Sequence, residues 1–181
     1  MKTLQKTLLA LSLALPLSVF ASTGGTITFL GEVTDTTCNV TVNGSSADST
    51  VQLLTIASND LAAGADSATS ADINFEMSGC GSSEAFTKVG VRMVPVGDVT
   101  TDGNLSNMIA DGSSAAIKLK DENGSQVPFQ AGSETLIVTK NIPAAGATVN
   151  YPFKAHYTNE TASNATEGKV KAAIQYTTTY E

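Results

Sequence analysis

Two cysteines are the residues of this chain whose type and spacing most readily support chemistry. Cys38 and Cys80 are the only cysteines in the sequence. In an exported chain such a pair is most simply one disulfide, which would close a loop of about 40 residues and stabilise the fold by about 4 kcal/mol in the chain-entropy model. A metal site or a catalytic thiol would need a second ligand cluster, which the sequence lacks. We therefore predict a structural disulfide.

The other candidate for chemistry is His156, the one histidine. Strand alternation from Val149 to Tyr157 places it on the same face as Lys154, opposite the apolar row, which predicts a solvated side chain rather than a catalytic base. The sequence contains no nucleophile elbow, phosphate-binding loop, dinucleotide fingerprint or metal-ligand spacing. We therefore expect no enzyme, no metal and no cofactor.

The N-terminus has the pattern of an export signal. Lys2 and Lys6 precede an apolar run from Leu8 to Phe20, and Ala21 completes a small-residue cleavage site. The run is too short for a membrane-spanning helix, which needs about 20 apolar residues. Removing residues 1–21 takes the formal charge from −7 to −9 (−7 − 2), and this acidity argues against nucleic acid as a partner.

The remaining sequence is a succession of short alternating segments separated by Gly, Asn, Asp and Ser. This pattern predicts a one-domain β-sandwich with a hairpin turn at Asp121–Gly124 and a loop over Asp60–Asp72. The expected strands are Ile27–Val33, Cys38–Val42, Val51–Ile56, Ile73–Met77, Val89–Val96, Ile117–Lys120, Leu136–Thr139, Val149–Tyr157 and Gly168–Tyr180.

The last segment is the most informative one, because it is an apolar strand at the end of the chain. From Gly168 its apolar row comprises Val170, Ala172, Ile174, Tyr176 and Tyr180. Such a strand lies either inside a sheet or beside an empty edge, and an empty apolar edge attracts another strand. A second row near the N-terminus, comprising Ile27, Phe29, Gly31 and Val33, could supply that strand from another copy by β-augmentation.

These pieces, in this order, resemble the pilins of bacterial chaperone–usher fimbriae. The matching segments are residues 25–33 before Cys38, residues 74–77 before Cys80, Ile117–Leu119 with its following turn, residues 151–157, and the ending with Gly168 and the penultimate Tyr180. The resemblance covers essentially the whole chain after the signal.

The resemblance implies an all-β fold, an incomplete immunoglobulin-like β-sandwich that lacks its final strand and is completed in trans. Residues 1–21 would be the cleaved signal, 22–36 the N-terminal donor-strand extension and 37–181 the pilin domain. Ile27, Phe29, Gly31 and Val33 would be donor residues. The acceptor groove would be bordered by Gly168, Val170, Ala172, Ile174, Tyr176 and Tyr180.

The same resemblance implies the partners and the route of the protein. A periplasmic pilus chaperone would lend a strand and capture the carboxylate of Glu181, and at the outer-membrane usher the extension of another copy or of a related pilin would replace that strand. The product would be an extracellular fimbrium on the bacterial surface that supports adhesion.

Three other functions remain as alternatives. A minor or tip subunit would bind a receptor carbohydrate, but its binding domain would need more chain than this one-domain sequence offers. A self-contained secreted enzyme lacks its motifs. A glycosylated secreted domain is suggested by sequons at Asn39, Asn43, Asn104, Asn123, Asn159 and Asn164, which a Thr- and Ser-rich composition also produces by chance.

Overall fold

The computed structural model describes residues 38–46, 48–81, 86–137, 139–144 and 146–181. The predicted signal segment 1–21 and donor extension 22–36 lie outside these residues, and so do the donor positions Ile27, Phe29, Gly31 and Val33. Within the described part the fold is built from eight strands and one short 3-10 turn at Ser58–Asp60. The strands are β1 (Asn39–Val42), β2 (Asp66–Cys80), β3 (Lys88–Val96), β4 (Ala116–Lys120), β5 (Thr135–Leu136), β6 (Lys140–Asn141), β7 (Ala147–Thr158) and β8 (Ala173–Tyr180).

The strands form two sheets that face each other across an apolar core. The first sheet has the order β1-β2-β7-β4, with every pair antiparallel. In the second, β8 pairs with β3 over its whole length, and the short β5 and β6 also pair with β3. Since a strand has two edges and β8 occupies one of them, β5 and β6 share the other. This arrangement is the predicted β-sandwich.

Alternation of side chains explains the core. In β7 the apolar residues at odd positions from Val149 to Ala155 are buried, and the residues between them are exposed. In β3, Val89, Val91 and Met93 are completely buried. Lys154, on the predicted solvent side of β7, is exposed. His156, predicted as a solvated side chain on the same side, is instead half-buried with its Nδ1 3.1 Å from the Ser67 carbonyl oxygen.

The prediction of a loop over Asp60–Asp72 is wrong from Asp66 onward, where β2 begins. Its polar and small residues carry no strand periodicity, but β7 lies alongside and takes up the main-chain hydrogen bonds, with a register shift between Asp66 and Ser70. The tertiary partner thus overrides a weak local preference.

Two other predicted strands differ from the structure. Val51–Ile56 is extended chain without a ladder among the described residues, and Val51, Leu53 and Ile56 are half-buried. Leu136–Thr139 is replaced by two separate contacts of β5 and β6 with β3. The turn at Asp121–Gly124 is confirmed, since Asp121 Oδ1 accepts from the main-chain nitrogens of Asn123 and Ser125.

Candidate functional site

The two cysteines form the predicted disulfide. Cys38 and Cys80 are bonded, with their Cα atoms 4.2 Å apart, and both residues are buried. Cys38 immediately precedes β1 and Cys80 ends β2, so the bond joins the edge strand of the first sheet to its neighbour. The main-chain nitrogen of Cys38 also donates to the hydroxyl of Tyr180, 3.0 Å away. The disulfide region therefore lies beside the end of β8.

The apolar row of β8 is covered less completely than its neighbours. Tyr176 makes an edge-to-face contact with buried Phe75, their ring centroids 5.0 Å apart. Yet every row residue is only half-buried, whereas the β3 residues paired with Tyr180, Thr178 and Tyr176 have no exposed surface. The half-buried members that pack against the core are Val170, Ala172, Ile174, Tyr176 and Tyr180. These five predicted acceptor residues thus lie on one core-facing row, whereas Gly168, the sixth, is exposed and lies outside it.

One edge of β8 carries main-chain groups directed away from β3. At the end of the strand, the Glu181 nitrogen donates to the Lys88 oxygen (3.0 Å) and the Lys88 nitrogen donates to the Glu181 oxygen (2.7 Å). The direction of the main-chain N–H and C=O groups alternates along an antiparallel strand. The main-chain groups of odd-numbered residues of β8 therefore point to β3, and those of even-numbered residues point to the opposite edge. Among the described residues, no strand pairs with that opposite edge.

The same alternation continues before β8 begins. The Met108 nitrogen donates to the Lys171 oxygen (2.8 Å) and the Ser113 nitrogen to the Lys169 oxygen (3.1 Å), so these odd-numbered residues also bond on the β3 side. The open edge therefore extends from Gly168 to Tyr180, thirteen residues long. The terminal strand predicted from Gly168 is regular only from Ala173, because 168–172 bonds to a loop instead of a strand.

Gly168 is a glycine for two physical reasons. Its φ of +141° lies in a region that residues with a Cβ rarely adopt. A Cβ here would also lie 2.5 Å from the Ser113 nitrogen and 2.7 Å from the Gly112 carbonyl carbon. Close backbone approach at this point is what lets the loop bond to the chain ahead of β8.

A cleft of about 830 Å³ opens beside the start of this edge. One wall is formed by residues 52–59 and the other by residues 165–170, which include the predicted Gly168 and Val170. Its base contains Leu61, Ala115 and Ala165, a small buried apolar cluster separate from the main core. We call the cleft and the open edge that starts beside it the acceptor groove, which comprises residues 52–59 and 165–180.

The cleft is lined by apolar, polar and charged side chains, among them Glu167 and Lys169. Burial raises the pKa of Tyr157, which lines the cleft, so its hydroxyl stays neutral at physiological pH. In the described part of the chain, no three His, Cys, Asp or Glu side chains come close enough together to hold a metal ion. Nor does any described helix have the length and hydropathy to cross a membrane.

The chain end is held by the fold itself. The main-chain oxygen of Glu181 accepts hydrogen bonds from the nitrogens of Thr87 (2.8 Å) and Lys88 (2.7 Å), and Thr139 Oγ1 lies 3.3 Å from Glu181 Oε2. Phe86 makes an edge-to-face contact with the adjacent Tyr180 ring. The terminal residue is exposed, and its capture by a chaperone stays a prediction.

Sequence reasoning missed two parts of this site. The wall at residues 52–59 overlaps the segment Val51–Ile56, which was expected as an ordinary sandwich strand, and nothing in its residue pattern set it apart from the other predicted strands. The loop 107–114, which bonds to residues 166–171, gave no signal beyond turn residues at Asp111 and Gly112. Its role depends on contacts more than fifty residues apart in sequence.

Comparison with known proteins identifies the type of protein to which this groove belongs. A family model described as "Fimbrial protein" matches residues 27–181. The F17 fimbrial protein of Escherichia coli is 29% identical over 163 residues, which are 87% of this chain and 87% of that protein.

Solved structures with a similar fold are also pilus subunits. One is a chain from a structure of a chaperone–usher pilus that reveals the molecular basis of rod uncoiling. Its TM-score is 0.62 at 21% identity, and the match covers 90% of the present chain and 99% of the pilus chain. The P pilus rod subunit PapA has a TM-score of 0.58 at 18% identity, covering 79% of this chain and 99% of its own. These likenesses confirm the predicted immunoglobulin-like β-sandwich. Since the family model matches most of the sequence, the chain belongs to the fimbrial protein family and is a fimbrial subunit.

Proposed function

We propose that this subunit polymerises head to tail by donor-strand exchange, with residues 22–36 of one copy bound in the acceptor groove of the next. The observation that carries the proposal is the open edge from Gly168 to Tyr180, whose row of apolar side chains is only half-buried. An added strand would cover that row and bond to the even-numbered residues of the edge.

The lengths of the two segments agree. At about 3.3 Å per residue the thirteen-residue edge is about 43 Å long, and the fifteen residues 22–36 extend over about 50 Å. The donor row Ile27, Phe29 and Val33 would contribute about 1.5–3 kcal/mol for each buried side chain. Gly31 would lie where the two backbones approach most closely.

The route to the cell surface is part of the same proposal. Residues 1–21 direct export to the periplasm and are removed, and residues 37–181 form the pilin domain. A periplasmic chaperone protects the open edge and holds the Glu181 carboxylate, and an outer-membrane usher exchanges that chaperone for the next subunit. A head-to-tail contact that does not close on itself produces a filament, which is the surface fimbria. A rod position is favoured over a tip position, because this chain covers 99% of the length of the similar P pilus rod subunit.

The direct test compares the mature chain with a chain that lacks residues 22–36, each co-expressed with the cognate chaperone. Both should be recovered bound to chaperone, and only the complete chain should form fibres visible by electron microscopy. A peptide of residues 22–36 should bind the shortened subunit and release the chaperone.

Matched substitutions in the donor row sharpen this test. Phe29→Asp should abolish fibres, because the charge would meet the apolar row of the groove, whereas Leu30→Asp on the opposite parity should be tolerated. If the complete mature chain remained a stable soluble monomer, or if both substitutions had equal effects, donor-strand exchange would be the wrong mechanism.

A further inference from the structure

Asn107 connects the loop between β3 and β4 to the chain that precedes β8. Its Nδ2 donates to the main-chain oxygens of Ser113 and Lys169, each 2.8 Å away. Its Oδ1 accepts from the nitrogens of Ile109 (3.1 Å) and Lys171 (3.0 Å). Two donors and two lone pairs are the full capacity of a side-chain amide, so this amide is completely used.

Two of these bonds flank one residue of the segment before β8. The oxygen of Lys169 and the nitrogen of Lys171 lie on either side of Val170, and Asn107 bonds to both. An antiparallel strand would instead bond to the N–H and C=O of a single residue. Strand β3 does not reach this segment, because it ends at Val96 opposite Ala173. The side-chain amide of Asn107 therefore supplies hydrogen bonds to the segment beyond the end of β3.

The consequence for the open edge follows from alternation. Holding Lys169 and Lys171 on the β3 side turns the main-chain groups of Gly168 and Val170 toward the opposite edge. It also keeps Gly168 and Val170 on the wall of the cleft. Without this contact the Lys169 and Lys171 oxygens would keep only their bonds from the Ser113 and Met108 nitrogens. Those two donors lie in the loop that Asn107 also braces through Ser113 and Ile109. We therefore expect the segment 168–171 to loosen and the usable edge to begin near Ala172.

We propose that Asn107 is a positioning residue for donor-strand binding, which lengthens the acceptor edge from Ala172 back to Gly168. It thereby sets how long a donor segment the groove accepts and selects a second copy of this chain, whose residues 22–36 are long enough to reach the cleft. The inference rests on the donor-strand function proposed above.

The chain contains a matched control at Asn43. Its Nδ2 donates to the Asp72 oxygen (3.0 Å) and its Oδ1 accepts from the Asn74 nitrogen (2.8 Å), so it flanks Ile73 in the same way. This contact lies on β2, in the other sheet from β8. Asn43→Asp and Asn107→Asp each keep the accepting oxygen and remove the donor, but only Asn107 bonds to the acceptor edge.

The experiment measures the dissociation rate of fibres formed by the full mature chain, in denaturant. Asn107→Asp fibres should dissociate about ten-fold faster than wild-type fibres, equivalent to about 1.4 kcal/mol. Asn43→Asp fibres should dissociate at close to the wild-type rate. Asn107→Asp is then combined separately with Ile27→Ala and with Val33→Ala, which truncate the two ends of the donor row.

The double-mutant cycles distinguish positioning from a general loss of stability. If the effects of Asn107→Asp and one donor substitution on the dissociation rate are not additive, the inference is supported and the end of the donor that binds beside Gly168 is identified. If the effects are additive with both donor substitutions, the inference is overturned. If neither donor substitution accelerates dissociation of wild-type fibres, donor-strand exchange itself is refuted instead.

Amide hydrogen exchange in wild-type fibres supplies a measurement that needs no variant. The amides of Gly168 and Val170 should be protected to the same degree as that of Ile174, because all three would bond to the donor. Free exchange at Gly168 and Val170 beside a protected Ile174 would show that the donor ends before the cleft, which overturns the inference.

Discussion

Proline substitutions at two adjacent threonines of β8 test directly which edge of the strand is open. Thr177 pairs with Arg92 and Thr178 with Val91. By the alternation of the ladder, the N–H of Thr177 points to β3 and the N–H of Thr178 points to the open edge. Proline removes that N–H and puts its ring in the same direction.

The two variants should therefore damage different properties. Thr177→Pro loses a bond inside the sheet and its ring collides with β3, which should cost the subunit about 3 kcal/mol of folding free energy. Thr178→Pro leaves the β3 ladder intact, and proline is tolerated on an edge, so the subunit should lose less than about 1 kcal/mol. Its ring would instead obstruct the incoming strand and remove one hydrogen bond, which together should weaken assembly about 100-fold, a cost of about 3 kcal/mol.

Two assays separate these effects. Denaturant unfolding of the freshly refolded mature chain measures subunit stability, and light scattering with electron microscopy measures fibre growth. Thr178→Pro should fold and fail to grow fibres, whereas Thr177→Pro should fold poorly. Equal destabilisation of the two subunits, or wild-type fibre growth by Thr178→Pro, would refute the assignment of the open edge.

Three further predictions concern the rest of the fold. Burial raises the pKa of Asp66, but ion pairs with Lys118 and Lys120 and a hydrogen bond from the Thr158 hydroxyl outweigh this effect and lower the pKa to about 2. Because the folded pKa lies below the unfolded value of 3.8, the carboxylate stabilises the fold above pH 4. That stabilisation is lost as the pH falls towards 2. Asp66→Asn should thus lower the free energy of unfolding, measured in urea, by about 1–2 kcal/mol at pH 7 and should have little effect at pH 2. An equal loss at both pH values would contradict this linkage. Gly168→Ala should destabilise the subunit by about 1–3 kcal/mol because its Cβ would meet the Ser113 nitrogen, and unchanged thermal unfolding would show that the close approach can relax. Replacing Cys38 and Cys80 together by serine should cost about 4 kcal/mol, measured by denaturant unfolding against the oxidised wild type, and a loss below about 1 kcal/mol would show that the disulfide is not a main support of the fold.

Much of the fold could be predicted from the sequence, because apolar alternation is a local property. It predicted β3, β4 and β7 within one or two residues, and it predicted that Val170, Ala172, Ile174, Tyr176 and Tyr180 share one core-facing row. It failed for residues 66–72, whose Ala, Ser and Asp side chains carry no period, and which become a strand only because β7 lies beside them.

The candidate site divides in the same way. The apolar row of the terminal segment and the pairing of the two cysteines follow from residue type and spacing, and both were predicted. The wall at residues 52–59 and the amide contact of Asn107 with Lys169 and Lys171 were not predicted, because each depends on segments that are distant in sequence.

The sequence by itself determined which side chains of the terminal segment face the core, since every second residue of a strand points to the same side. Only the tertiary structure decided that β3 occupies one edge of that strand and that the described part of the chain leaves the other edge open. The physical reason is that side-chain direction is set by the local backbone, whereas the use of an edge is set by whichever distant segment folds against it.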